Sequence, residues 1–170
     1  RVMDYYSLGP LWGQGATCKV HECYSVFTGE IYALKSRIHS TRESTQAMHN
    51  ELRILQLCAK NPHPSIPRLV DFFFDTNGTI EIVTDLMQGG ELFDDIQGTS
   101  GMPEERARVV FEQIASGLAH LHSLGIGHRD IKLENIMYVH ARRESETEQL
   151  DTDLSGKNPD LLQIKIMDYD

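Results

Sequence analysis

The sequence predicts an α+β chain in two unequal pieces, a small antiparallel β-sheet with one helix followed by a mainly helical part. Three observations carry that expectation. The first third consists of short apolar runs separated by glycine-rich turns. A helical period follows it over "STQAMHNELRILQLCAK". After "QGGELFDDIQ" the pattern changes to that of one long helix.

The elements justify themselves in order. "YSLGPLWGQGATCKVHECYSVFTGEIYALKSRI" reads as strands, with "FTGE" as a hairpin turn and "IYALK" as a strand. In the first helix Met48, Leu52, Leu55 and either Cys58 or Ala59 share one face. The three prolines of "NPHPSIP" end it. "RLVDFFFD" and "TIEIVTDLM" are two further strands around the turn "TNG". The long helix is "MPEERARVVFEQIASGLAHLHSLG". Pro103 suits its first position, Glu104 and Glu105 its positive end, and Gly125 its stop. Ala107, Val110, Phe111, Ile114, Leu118 and Leu121 make its apolar stripe. Two short strands, "NIMYV" and "QIKIM", flank residues 139–162, a polar, mostly acidic surface excursion. No internal repeat is found.

Composition narrows the function. With 170 residues, 40% hydrophobic and 24% charged, the chain can bury a core and is not a disordered tail. No stretch approaches the ~20 consecutive apolar residues of a membrane span, so no membrane partner is expected. A net charge of −9 excludes a general nucleic-acid binder. "RVMDYYSLGP" has no signal-type run and no initial Met, so Arg1 is expected to be a fragment boundary. Cys18, Cys23 and Cys58 make neither an even disulfide set nor a metal pair. Reduced thiols in a cytoplasmic protein are expected.

The strongest chemical signal is "HRDIKLEN", on a loop just after the long helix. An acid that accepts a proton, a lysine two residues on and an amide oxygen five residues on suit phosphoryl transfer. Asp130 would orient and deprotonate a hydroxyl, Lys132 would neutralise phosphate charge, and Asn135 would hold a metal. Taken singly, each residue also fits an ordinary loop turn.

This stretch resembles the catalytic loop of eukaryotic protein kinases. "WGQGATCKV" resembles that family's glycine-rich loop, which implies that Trp12, Gly13, Gln14, Gly15 and Val20 cover ATP. "YALK" resembles its third strand, which implies Ala33 over the adenine and Lys35 on the phosphates, with Glu51 pairing with Lys35. "IVTDLMQGGELF" is similar to the hinge. Thr84 then falls at the gatekeeper position, Asp85 and Met87 offer backbone groups to adenine, and Glu91 lies at the ribose. Met137 would be the adenine floor, although plain core packing fits Val20, Ala33 and Met137 equally well when each is taken alone. "DYD" stands where the family has Asp-Phe-Gly, so the resemblance makes Asp168 the main Mg2+ ligand and Tyr169 a packing ring.

The resemblance implies a protein-kinase-like fold. Residues 1–85 would form the N-lobe, and residues 86–170 a partial C-lobe with hinge exit, long helix, catalytic loop, acidic insertion and metal aspartate. It further implies that the chain ends at the metal aspartate, about two-thirds of the way through such a domain, so that this segment by itself is expected to be inactive. Lys132 marks the serine/threonine type. "GGELFDDI" with "HRDIKLENIM" looks most like the calcium/calmodulin-dependent and calcium-dependent kinase group. Implied partners are a protein substrate with basic residues near its phosphosite, met by Glu91 and Glu134, and a regulatory calcium-sensing partner or domain. Arg129 implies control by an activation-loop phosphate. Cys18 at the third loop glycine, Trp12 for a smaller aliphatic residue and Asp170 for glycine depart from the pattern. They keep a second reading open, a pseudokinase that binds nucleotide or scaffolds. A small-molecule kinase of the same fold is a third.

Overall fold

The computed structural model describes residues 1–15, 17–38, 41–74, 79–97, 101–141 and 162–169. Its described residues fall into two compact units. The first is Arg1–Asn61 with Arg68–Leu86, and the second is Pro62–Pro67 with Met87–Tyr169.

In the first unit a 3-10 turn at Val2–Asp4 leads into β1 (Tyr6–Gln14), β2 (Cys18–Ser25) and β3 (Ile31–Arg37). Helix α1 (Arg42–Lys60), β4 (Leu69–Phe74) and β5 (Ile80–Asp85) follow. The five strands form one sheet in the order β1-β2-β3-β5-β4, with every neighbouring pair antiparallel. The "FTGE" turn joins β2 to β3 as expected. Gly29 takes φ 72°, and its N–H donates to Ser25 O at 2.8 Å. On the edge strand β1 the register slips between Leu8 and Leu11 and again before Gly13. Pro10 cannot donate to a ladder, so an edge strand with a bulge is where it fits. Gly9 is required by packing, since a Cβ there would stand 2.8 Å from the Tyr24 ring.

The sheet buries both faces. Val2, Tyr6, Cys23, Leu34 and Val83 form one cluster, with Tyr32, Val70 and Phe73 packed against it. Burial pushes the Cys23 thiol up to about 11, and all three cysteines are free. On β5 side chains alternate, so Ile80 and Ile82 are buried on the face opposite Val83. Helix α1 buries Met48, Leu52, Ile54, Leu55 and Cys58, so Cys58 rather than Ala59 completes the expected face. Each buried Met, Leu or Ile side chain stabilises by ~1.5–3 kcal/mol. Thr41 caps the helix, accepting from Ser44 N at 3.1 Å.

The second unit holds α2 (Leu92–Gln97), α3 (Glu104–Ser123), a 3-10 turn at Leu133–Asn135, and an antiparallel pair, β6 (Ile136–Tyr138) with β7 (Ile164–Ile166). Helix α2 begins at Leu92, at the end of the stretch read as the hinge, and runs beyond it to Gln97. Pro103 is the N-cap of α3 rather than its first residue, and Gly125, at φ 72°, ends it. The buried line on α3 runs through Arg106, Val110, Gly117 and Leu121, whereas Phe111, expected in the stripe, is 68% exposed. Gly117 explains the shift: it admits β7 so closely that a Cβ would stand 2.8 Å from Ile166 Cδ1. Among the described residues no helix is long and apolar enough to cross a membrane. The "TNG" turn, Asp170 and residues 142–161 of the acidic excursion lie outside the described residues.

Candidate functional site

In the first unit the β1–β2 turn closes through Gly15 N donating to Cys18 O at 2.9 Å, and Gly13 pairs with Val20. Cβ atoms at Gly13 and Gly15 would meet nothing closer than Cys18 O at 3.8 Å. Unlike Gly9, these glycines are not demanded by contacts within the described chain. Trp12, Gln14 and Gly15 are exposed. Across the ladder Val20 pairs with Lys35, Lys35 with Ile82, and Ala33 with Thr84. That register sets Val20 beside Lys35. The Lys35 ammonium bonds both oxygens of Glu51 on α1, at 2.9 and 3.0 Å, and the two side chains are only 21% and 13% exposed. Thr84 is half-buried, and Asp85 Oδ1 accepts from Arg68 N at 2.8 Å.

In the second unit the loop after α3 is built around Asp130. Its Oδ2 accepts from Lys132 Nζ at 2.7 Å and from Asn135 Nδ2 at 3.0 Å, while its carbonyl accepts from the same amide at 2.8 Å. The hydrogen bonds from Lys132 and then Asn135 hold the carboxyl below its ordinary value, and the Asp130 contact raises the Lys132 ammonium. Asn135 is buried, and its carbonyl accepts from Met167 N at 2.7 Å. Asn135 therefore sits one residue from Asp168. With both Asn135 amide hydrogens given to Asp130, its Oδ1 and the Asp168 carboxylate are hard oxygen donors of the kind Mg2+ takes.

The backbone here is tense. Among the described residues, Arg129 at φ 71° and Asp168 at φ 55° are the side-chain-bearing residues with positive φ, and both flank this cluster. His128 holds them together. It is buried, its Nε2–H donates to Met167 O at 2.8 Å, its Nδ1 accepts from Asp130 N at 3.4 Å, and its ring meets Tyr169 edge-on at 5.3 Å. Tyr169 is buried and donates its hydroxyl to Ile166 O. The sequence alone does not single out His128, because a histidine opening a polar loop is common.

Met87 is buried, whereas Met137 and Glu91 are half-buried and face each other in an isolated bridge. Burial raises the Glu91 carboxyl first, and the charges of Asp94, Glu134 and Asp168 add to it. The structure thus gathers Lys35, Glu51, Val20 and Gly13 in the first unit. In the second it gathers Asp130, Lys132, Asn135 and Asp168, with Glu91 beside Met137. Asp94, Glu134 and Asp168 lie within electrostatic reach of Glu91.

A glycine-rich β-turn, a lysine–glutamate pair from strand to helix and an Asp–Lys–Asn loop on this sheet-plus-helix fold define a protein kinase domain. The protein kinase domain family matches residues 6–170, and the chain belongs to that family. Among its relatives, human serine/threonine-protein kinase H1 is 34% identical over 146 residues, 86% of this chain and 34% of the relative. Calcium/calmodulin-dependent protein kinase type I of Schizosaccharomyces pombe is 36% identical over 134 residues, 78% of this chain and 39% of the relative. The crystal structure of Rad53 1-466 in complex with AMP-PNP aligns with TM-score 0.74 and 26% identity, covering 99% of this chain and 39% of that one. The chain spans 34% and 39% of the lengths of those two curated relatives.

Proposed function

We propose that this chain carries the nucleotide and catalytic residues of a serine/threonine protein kinase that moves the γ-phosphoryl group of ATP to a protein hydroxyl. The observation that carries the reading is the Asp130 carboxylate, kept ionised and aimed by Lys132 and Asn135. Asp130 orients the substrate hydroxyl and accepts its proton, and Lys132 offsets charge on the transferred group. Lys35, steadied by Glu51, takes the α- and β-phosphates. Gly13 and Gly15, where the chain's own packing leaves room, let backbone N–H groups approach phosphate. Val20, Ala33, Thr84, Asp85, Met87 and Met137 contact adenine, with Trp12 and Gln14 on the covering turn and Glu91 at the ribose. Asn135 and Asp168 hold Mg2+, which supplies charge neutralisation to the phosphates when bound.

The substrate we infer is basic near its phosphosite. Burial first, and then the charges of Asp94, Glu134 and Asp168, raise the Glu91 carboxyl, and a cation beside it would relieve that repulsion. A calcium-sensing partner or domain is proposed from relatives whose names are calcium/calmodulin-dependent kinases. A cytoplasmic location is inferred from the three free thiols. The test is a peptide array with the full-length protein and Mg·ATP. Selection for Arg or Lys that weakens in Glu91→Gln with Glu134→Gln supports the reading. Phosphorylation with no basic preference removes the substrate class, and no phosphorylation of any peptide removes the activity.

A further inference from the structure

Three polar side chains are sealed inside the second unit and take none of the roles assigned above. Arg106, in the first turn of α3, is 5% exposed; Tyr138, on β6, is 0% exposed; the Asp95 side chain, on α2, is 16% exposed. They close on one another. Arg106 Nη2 donates to Asp95 Oδ2 and to the Tyr138 hydroxyl at 3.1 Å, and that hydroxyl donates to Asp95 Oδ2 at 2.9 Å. Arg106 Nε is buried with no partner among the described residues. A buried ion pair is often less stabilising than apolar residues of the same shape, and here one guanidinium N–H is left over. Stability alone is a poor reason for the triad; holding one arrangement is a better one.

Tyr138 shows what is held. Its N–H donates to Gly90 O and its carbonyl accepts from Gly89 N, both at 3.0 Å, while Gln88 N donates to Val139 O at 3.0 Å. Residues 88–91 thereby run as an extra edge along β6, with Glu91 opposite Met137. The fit is close, for a Cβ at Gly89 would stand 2.3 Å from Tyr138 Cβ and 2.4 Å from His140 O. Met137 precedes Tyr138 directly, and Glu91 immediately precedes α2, the helix that carries Asp95. One residue therefore ties, by its backbone, the segment leading to Glu91 and, by its hydroxyl, both α2 and α3.

We propose that Asp95, Arg106 and Tyr138 are positioning residues that fix Glu91 against Met137 and so set nucleotide affinity without touching the nucleotide. The inference rests on the reading of Glu91 and Met137 as nucleotide contacts. Loosening the triad lets those two groups drift, which weakens binding of ATP. Asp130, Lys132 and Asn135 are held by their own bonds, so the chemical step is spared.

The test uses the full-length protein, with AMP-PNP and Mg2+ as the binding probe, calorimetry for Kd, and steady-state KM and kcat for ATP. Tyr138→Phe and Arg106→Met are expected to raise Kd and KM about five- to tenfold while kcat at saturating ATP stays within about twofold. The exchange Asp95→Arg with Arg106→Asp rebuilds the pair in reverse, and Kd should return to within about threefold of the parent. Should Arg106→Met fail to fold, Tyr138→Phe decides, since it removes one oxygen and keeps the packing. Unchanged Kd in a folded Tyr138→Phe protein, a fall in kcat at constant KM, or no recovery in the exchanged pair overturns the proposal. If the parent protein does not bind AMP-PNP, the reading of Glu91 and Met137 falls and takes this inference with it. Binding by the parent with indifferent variants sinks the inference alone.

Discussion

Asn135 gives both hydrogens of its amide to Asp130, one to the carbonyl at 2.8 Å and one to the carboxylate at 3.0 Å. The loop from Asp130 to Asn135 is thereby locked across its ends, and the carboxylate is held in one orientation. Asp130→Asn keeps the shape and removes the proposed base. We expect kcat to fall about 10²–10⁴-fold with nucleotide Kd within about threefold of the parent. Calorimetry beside a single-turnover assay checks this. Turnover that survives the change rules Asp130 out as the base, whereas nucleotide binding without turnover in the parent itself favours the scaffolding alternative.

Lys35 and Glu51 form a two-pronged, mostly buried contact from β3 to α1. Lys35→Met leaves a carboxylate facing an apolar chain and should destabilise the domain by about 1–3 kcal/mol, read as a lower melting temperature. Lys35→Arg keeps the charge. It should retain most of the stability yet lose turnover, because a wider, planar head cannot take the same place on the phosphates. If Lys35→Arg retains full activity, the phosphate role of Lys35 is wrong.

Gly13 and Gly89 differ in why they are glycine. At Gly89 a Cβ collides with Tyr138 and His140, so Gly89→Ala should cost about 1–3 kcal/mol in denaturant titration. At Gly13 a Cβ meets nothing within 4 Å, so Gly13→Ala should leave the denaturation midpoint unchanged and raise KM for ATP severalfold. An unchanged KM would separate the β1–β2 turn from nucleotide binding.

His63 stacks on His120 at 5.0 Å, donates to Ser116 Oγ at 3.0 Å and accepts from Ser65 N through Nδ1 at 3.1 Å. Burial first, then the charges of His120 and Lys165, lower its pKa from 6.5. The unfolded chain therefore takes up this proton before the folded one does. Stability from this site is full above pH 6.5 and declines as the pH falls below it toward the folded value. The gap between urea midpoints measured at about pH 7.5 and about pH 5.5 should be smaller in His63→Gln than in the parent, since His21, lowered in the same way, contributes equally to both. Equal slopes in both proteins would remove His63 as the source.

The sequence is most legible where the candidate site is local. The Asp130, Lys132 and Asn135 side chains meet within one loop, so their spacing already contains their geometry. The strands and α1 were readable because turn glycines and a period of apolar residues announce them. The triad was not, because Asp95 lies 11 residues from Arg106 and Tyr138 lies 32 from it. Each looks ordinary alone: an acid early in a short helix, a surface arginine, a strand tyrosine. Phe111 departs from the expected stripe for a related reason. Periodicity gives the angle of a stripe, whereas the neighbour that selects the buried face is Ile166, whose approach Gly117 allows. Helix α2 is six residues long, too short to show a period.

The three thiols are not equivalent. Cys23 and Cys58 are sealed in the first unit, burial raises both thiols, and Cys18 alone is partly open. A maleimide dye added to the native protein would therefore mark one place, the start of β2, whose carbonyl closes the turn bearing Gly13 and Gly15. The molecule carries its own attachment point for an optical reporter, and a change in that dye's emission would follow movement of the turn in real time.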